Sequence, residues 1–333
     1  MTAKSSKVGK KTILLLRQGK AEKDDQHGKG SPLTRALSDD GKRNAQRMGV
    51  WLAAHDLAPE EMLSSSAECA IVSAEKCIKS MGIGVQDLRI DHRLYQADPK
   101  RFIKLLSSLP EETRCVLIVG DKTGLESLLH HLLPNEGNQC AENRLLKASS
   151  LAVLTWNASW SALHEGAARL DQCVHAASLP KQFPYPDAGG DERRDRPAYY
   201  YRQSAVVPYR MKHKRIEILL ITSSSNKHWG VPKGIQEPGM SARDSAAKEA
   251  LEEAGIEGLV GHNPLGCYAY EKWGSACQVE IFPMRVGHVA NKKQWQESHR
   301  QRQWYSVKKA RALLHQQALL PMIDTLVKTV VVK

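Results

Sequence analysis

Nothing in this 333-residue chain approaches the roughly 18 consecutive apolar residues that a membrane-crossing helix requires. The basic N-terminus, Met1 to Lys11, leads only into the short apolar run Ile13 to Leu16 before Arg17 interrupts it, so it fails as a secretory signal. Cysteine pairing is missing too. Cys69, Cys77, Cys115, Cys140, Cys173, Cys267 and Cys277 form no Cys-x-x-Cys pair and no metal-ligand spacing, and an odd, scattered set points to reduced thiols in a cytoplasm. Internal repeats and low-complexity tracts are absent. So are a zinc finger, an RNP-like aromatic strand and an Arg-rich arm, which leaves no visible nucleic-acid module.

What is present is an ordinary globular composition, 41% hydrophobic and 25% charged. The length exceeds a usual single domain, and two domains of roughly 150 residues are expected, each able to bury a core. The formal charge of +12 implies nucleic acid or a polyanionic small molecule as partner, or only a soluble basic surface. Charge alone does not choose.

The first half alternates strands and helices. Thr12 to Leu16 and Cys115 to Val119 read as apolar strands, Asp40 to His55 and Gly124 to Leu133 have helical spacing, and Ser150 to Trp156 is a further strand in a pattern running to about Leu179. That alternation predicts an α/β layered domain over 11–182. Between Pro180 and Pro197 the composition turns to Pro, Gly and alternating charge, which predicts a linker at 183–198. A second domain, 199–333, opens with the β-rich runs Ser204 to Tyr209 and Ile216 to Thr222 around a basic turn, which predicts a hairpin.

The chemistry sits in Gly234 to Ile256. Ser241 can cap a helix running to Ala254, Asp244 lies in its first turn, and Gly255 stands where a left-handed C-cap belongs. On that helix Glu249, Glu252 and Glu253 are spaced i, i+3 and i+4, so their carboxylates point to one side. Three crowded like charges repel. Hard oxygen ligands at this density suit Mg²⁺ or Mn²⁺ bound together with substrate phosphates. An Glu-x-x-Glu-Glu cluster by itself is more often a solvated helix face.

The wider context overturns that. The segment resembles the Nudix box: Gly, five residues, Glu, seven residues, Arg-Glu, an aliphatic residue, any residue, Glu-Glu, any residue, Gly and an aliphatic residue. Gly234, Glu249, Glu252, Glu253, Gly255 and Ile256 match in register, while Met240 replaces the first glutamate and Lys248 the arginine. Lysine keeps the charge but loses the planar fork. The flanking stretches Gln203 to Tyr209, Trp229 to Gly234, Glu237 to Met240 and Trp295 to Ser298, with Arg300, Arg302, Gln303 and Trp304, resemble the diphosphoinositol polyphosphate and diadenosine polyphosphate hydrolase branch. This resemblance implies an α/β/α sandwich, hydrolysis of a phosphoanhydride by water, Gly234 as a further metal ligand through its carbonyl, and little interest in simple nucleoside triphosphates. Glu253 is the candidate base. Arg202, Arg210, Lys233, Arg300 and Arg302, helped by Lys212, Lys214 and Lys227, can clamp a polyanion. Trp229 and Trp304 either stack on a base or pack in the core, the commoner case. Gly261-His-Asn-Pro264 resembles a phosphatase signature only by coincidence.

The first half resembles the short bacterial phosphohistidine phosphatases of the histidine phosphatase superfamily. Ile13 to Gly19 stands where a strand ends in Arg-His-Gly, Leu37-Ser-Asp-Asp-Gly41 where a helix begins Leu-Thr-x-x-Gly, Leu63 to Ala70 where Ser-Ser-Pro and a phosphate-binding Arg belong, and Val119 to Lys122 where Gly-His is expected. That chemistry needs a phosphorylated imidazole, a second His and two arginines. Here Gln18 replaces the nucleophile, Asp121 the second His and Cys69 the second Arg, and only Arg17 survives. His27, His92, His130 and His131 fall outside the motif. The expectation is a pseudophosphatase fused to a Mg²⁺-dependent hydrolase of small polyphosphates. The alternatives are a non-catalytic nucleotide-binding scaffold, which Met240 and Lys248 favour, and an RNA-cap or nucleoside triphosphate hydrolase.

Overall fold

The all-apolar run near the start of the chain becomes the centre of a sheet. The computed structural model describes residues 9–22, 31–134, 146–186 and 190–331; His27 and Cys140 lie outside them. The chain divides into two units, Met1–Phe183 and Pro184–Lys333.

In the first unit the elements run β1 (Lys11–Arg17), α1 (Asp39–Ala54), β2 (Glu61–Ser65), α2 (Glu68–Ser80), β3 (Leu88–Asp91), α3 (Pro99–Leu106), β4 (Cys115–Gly120), α4 (Lys122–Leu132), β5 (Ser150–Trp156) and β6 (Arg169–His175). The sheet order is β3-β2-β4-β1-β5-β6. The first four of these are parallel and the last two antiparallel. Period-two alternation sends Ile13 and Leu15 to the face that packs Phe102 of α3 and Leu125 of α4. Leu14 and Leu16 go to the face that packs Met48 of α1 and Ile78 of α2. A strand covered on both faces has no polar side to show, which is why β1 and β4 read as continuous apolar runs. Each fully buried leucine there contributes roughly 1.5–3 kcal/mol.

After β7 (Phe183–Pro184), which spans the boundary, the second unit runs β8 (Arg193–Arg194), β9 (Arg202–Lys212), β10 (Arg215–Thr222), β11 (Trp229–Gly230), β12 (Lys233–Ile235), α5 (Ala242–Ala254), β13 (Ile256–Val260), β14 (Gly266–Lys272), β15 (Ser275–Val289), β16 (Arg302–Ser306), α6 (Val307–Leu313) and α7 (Leu320–Val331). Described residues of the stretch expected to be a linker make contacts of their own. Tyr185 N–H donates to the Glu192 carbonyl at 3.0 Å, and the Arg194 guanidinium lies 3.1 Å from the Tyr185 ring centre and 4.6 Å from that of Tyr201. Composition alone missed this because cation–π stacking leaves no hydrophobic periodicity.

The main sheet runs β11-β10-β9-β15-β13, with β12 added to β9, β14 to β15 and β16 to β10. The expected hairpin is β9–β10, whose turn residues His213 and Lys214 have φ of 48° and 60°. Helix α5 packs Ala246, Ala250 and Ala254 on Val206, Leu219, Ile221 and Phe282. The opposite face, Ala205, Val207 and Ile218, carries Ala310 of α6 and Ile323 and Leu326 of α7. This is the α/β/α sandwich expected for the second half. Among the described residues no helix is long and apolar enough to cross a membrane.

Candidate functional site

Helix α5 begins as its sequence dictates. Ser241 Oγ accepts from Asp244 N–H at 3.1 Å, and Gly255 closes the other end at φ 58°, ψ 43°. A Cβ on Gly255 would meet Arg302 Nη1 at 2.7 Å and Trp295 Cγ at 2.8 Å, so conformation and space both require glycine. The alanine stripe lets the helix axis approach the sheet closely, which brings Glu249 and Glu253 against β12.

Gly234 is where helix and strand touch. A Cβ there would lie 1.9 Å from Glu249 Cδ, so the Glu249 carboxylate is pressed onto bare backbone. Burial, then the charges of Glu253 and Glu252, push its pKa up to about 7. Glu253 accepts from Lys233 N–H at 2.9 Å and from Arg300 Nη2 at 2.5 Å. Its burial raises its pKa against those opposing contacts. Glu252 lies 3.5 Å from Lys248 Nζ, which also reaches Glu237 at 3.0 Å. Burial lowers the Lys248 pKa, but the two carboxylates outweigh it and the net shift is upward.

The donor chemistry of Glu249, Glu252, Glu253 and the Gly234 carbonyl fits a hard divalent cation, because such an ion offsets the carboxylate repulsion that adds to burial in raising Glu249. In the arrangement shown no three candidate ligands converge among the described residues. Glu252 is drawn to Lys248 and Glu253 to Arg300.

The cations expected to clamp substrate are placed unequally. Arg202 is exposed at the start of β9, its carbonyl accepting from Gln236 N–H at 2.9 Å. Lys233 Nζ donates to Gln203 Oε1 at 2.8 Å and Tyr270 Oη at 2.9 Å, and burial lowers its pKa. Arg300 is nearly buried and fully engaged with Glu253, Glu297 and the Thr222 carbonyl. Two of them have partners within the fold. Arg302 donates to the carbonyls of Ala254 at 2.5 Å, Gly255 at 3.0 Å and Ala290, capping α5 and stacking 4.5 Å from the Trp295 ring. Arg210 pairs with Glu217 at 2.6 Å and stacks 4.2 Å from the Trp304 ring. It also stands six residues beyond Ser204, which pairs with Gly234. At about 3.4 Å per residue that is about 20 Å, and the basic turn with Lys212 and Lys214 is farther still.

Trp229 and Trp304 pack as half-buried residues against the two cores of this unit. His262 of the coincidental signature only pairs with Arg243 at 2.8 Å. Sequence reasoning missed the Glu237–Lys248 pair and the Gln203–Tyr270 cradle of Lys233. Glu237 lies three residues before the missing carboxylate at Met240, which was the available signal; nothing local marked Tyr270.

The residues read from the sequence as a degenerate phosphatase site are placed as follows. Arg17 Nη1 donates to the Leu146 carbonyl at 2.6 Å, and burial lowers its pKa against the pull of Glu126 and Asp121. Gln18 Oε1 is buried without a hydrogen-bond partner. Cys69 sits on α2, its thiol donating to the Arg35 carbonyl at 3.0 Å, and burial raises its pKa. Asp121 caps α4, accepting from Gly124 N–H at 3.0 Å and Gln96 N–H at 2.9 Å. A carboxylate that satisfies two backbone donors has become a structural cap.

The pKa of Glu249 sets a pH dependence in the metal-free protein. A carboxyl raised from 4.5 to about 7 on folding contributes stability that is full below the lower value and lost as pH climbs through the higher one. Glu249→Gln is therefore expected to be more stable than the metal-free wild type at pH 8, by on the order of 1–2 kcal/mol after discounting for partial exposure, and so to unfold at a higher temperature. Calorimetric scans in EDTA at pH 5 and pH 8 check this; a gap that does not open with rising pH refutes it.

Residues 200–326 match the family model described as the NUDIX domain. Nudix hydrolase 17, mitochondrial, of Arabidopsis thaliana is 33% identical over 132 residues, covering 37% of this chain and 71% of that protein. Among solved structures, the protein histidine phosphatase SixA complexed with tungstate aligns with 50% of this chain and 97% of its own at 19% identity and a TM-score of 0.40. A C. elegans Ap4A hydrolase aligns with 39% of this chain and 97% of its own at 23% identity and a TM-score of 0.34.

Proposed function

The chain belongs to the Nudix hydrolase family, enzymes that hydrolyse phosphoanhydrides in small phosphate compounds and generally use a divalent metal, and from that premise we propose that it is a Mg²⁺-dependent pyrophosphohydrolase of diadenosine or diphosphoinositol polyphosphates. The observation that carries this reading is the Glu249 carboxylate pressed on the Gly234 backbone with Glu252 and Glu253 beside it.

Glu249, Glu252, Glu253 and the Gly234 carbonyl would hold the ion. When bound, Mg²⁺ polarises the phosphoanhydride and acidifies water. Glu253 takes the proton of the attacking water, its carboxylate oriented by Lys233 N–H and Arg300. Arg202 and Lys233 meet the phosphates, and buried Lys233 acts in a medium of low dielectric where its charge counts for more. The test is steady-state kinetics across diadenosine triphosphate to hexaphosphate, a diphosphoinositol polyphosphate and ATP, with Mg²⁺ at two salt concentrations. kcat/KM is expected to rise with phosphate number and to fall with salt. A preference for ATP rejects the polyphosphate reading.

The first unit is a pseudophosphatase in this reading. Gln18 offers no nucleophile, and Asp121 puts a carboxylate where phosphate should sit. The full chain is expected to show no turnover of phosphohistidine or an aryl phosphate above an Arg17→Ala control, in Gln18→His as well as wild type, because Cys69 and Asp121 remain. Turnover by wild type that the control lacks defeats the claim.

A further inference from the structure

The short helical turn Ala198–Tyr201 and the tip of the β14–β15 hairpin bring four aromatic rings together. Tyr200 and Trp273 meet edge to face with centroids 5.2 Å apart. Tyr199 packs on Tyr200 at 4.7 Å. Tyr201 lies 6.3 Å from Trp273, and its hydroxyl donates to the Trp273 carbonyl at 3.1 Å. Cations edge the cluster: Lys272 Nζ lies 4.3 Å from the Trp273 ring centre and the Arg196 guanidinium 5.7 Å from that of Tyr200. Tyr199, Tyr200 and Trp273 all remain half-exposed.

Trp273 is held there at a conformational cost. Lys272 pairs with Ser275, so the hairpin loop is Trp273-Gly274, with φ of 53° and 73°. Such a two-residue loop normally carries Asn-Gly, and a bulky residue at positive φ is an outlier. Strain of this kind persists where the side chain has work to do. The position is also connected to the phosphate end of the site. Tyr270, whose hydroxyl accepts from Lys233 Nζ, lies on β14 three residues before the loop residue Trp273, about 10 Å at 3.4 Å per residue. A ribose and its first phosphate bridge that span. Asp195 reaches the same tip, its Oδ2 3.6 Å from where a Cβ on Gly274 would stand. A carboxylate there disfavours phosphate and suits the exocyclic amine of a base.

We infer that Tyr199, Tyr200 and Trp273, flanked by Arg196 and Lys272, form a nucleobase subsite that commits the enzyme to nucleoside polyphosphates over inositol pyrophosphates. The inference rests on the phosphoanhydride-hydrolase reading above. An inositol ring has no π face to stack, whereas a base stacks on any aromatic wall.

The test uses the full chain and Trp273→Asn, which removes the ring and supplies a residue better suited to the loop, so thermal stability should hold or rise. KM for diadenosine tetraphosphate is expected to rise roughly tenfold with kcat within about twofold, as loss of one stacking partner predicts. KM for a diphosphoinositol polyphosphate should not move, and Trp273→Tyr should restore the nucleotide KM. Equal change on both substrates, or none on either, overturns the inference. Calorimetric titration with AMP in EDTA keeps the two readings apart. If wild type hydrolyses no phosphoanhydride, the hydrolase reading fails, and tenfold weaker AMP binding by Trp273→Asn still upholds the subsite. If hydrolysis is present but AMP binds both proteins equally, the subsite fails and the hydrolase reading stands.

Discussion

Glu253→Gln is expected to lower kcat by roughly 10²–10⁴-fold at saturating Mg²⁺, the range for loss of a general base. The substitution keeps the shape and one oxygen, so the Lys233 N–H at 2.9 Å retains an acceptor. It removes the charge, which both proton abstraction and a divalent ion require. It also leaves Arg300, whose side chain is only 10% exposed, with Glu297 as its one remaining carboxylate. A stability cost of about 1–3 kcal/mol should follow, so the variant melts earlier but remains folded at assay temperature. Product formation from diadenosine tetraphosphate, with thermal melts on the same preparation, separates the two effects. Wild-type kcat at saturating metal in a folded Glu253→Gln protein would remove Glu253 from the chemistry.

Arg302→Met should do the reverse. The guanidinium closes the carbonyl end of α5 through Ala254, Gly255 and Ala290, where a cation also opposes the helix dipole. Methionine fills similar space beside Trp295 but offers no donor, so these carbonyls lose their side-chain partner. A loss of about 2–4 kcal/mol is expected, a fall of roughly 6–12 °C in Tm for a protein of this size. Below the melting range kcat/KM should stay within about twofold of wild type. A phosphate-clamping Arg302 predicts the opposite pattern, a loss of kcat/KM and its salt dependence at unchanged Tm, so the same two measurements decide between the roles.

The basic residues mark the boundary between what sequence and what tertiary structure decided. Local signals were sufficient for the chemistry-bearing helix: Ser241, the 3.6-residue spacing of Glu249, Glu252 and Glu253, and left-handed Gly255 each act within a turn or two of chain, where geometry follows from residue type. The same holds for β1 and β4, whose apolar runs admit only a strand buried on both faces. The cations are different, because what a guanidinium does depends on which acceptors it meets across the fold. Arg300 and Arg302 are two residues apart, a spacing that strand alternation would put on one face, yet Arg300, in the bend before β16, reaches Glu253 and Arg302, first in the strand, reaches the end of α5. Arg210 was separated from the site by the register of β9, which no local pattern encodes. Lys248 gains Glu237 beside its helical neighbour Glu252 because the chain before α5 folds back to it, and the stretch around Arg194, polar and Pro-rich enough to pass for a linker, is fixed by ring faces that the tertiary structure alone brings beneath it. Helix starts and strand burial are thus written into short stretches of sequence, whereas the partner of each long charged side chain is set by contacts between residues far apart in the chain.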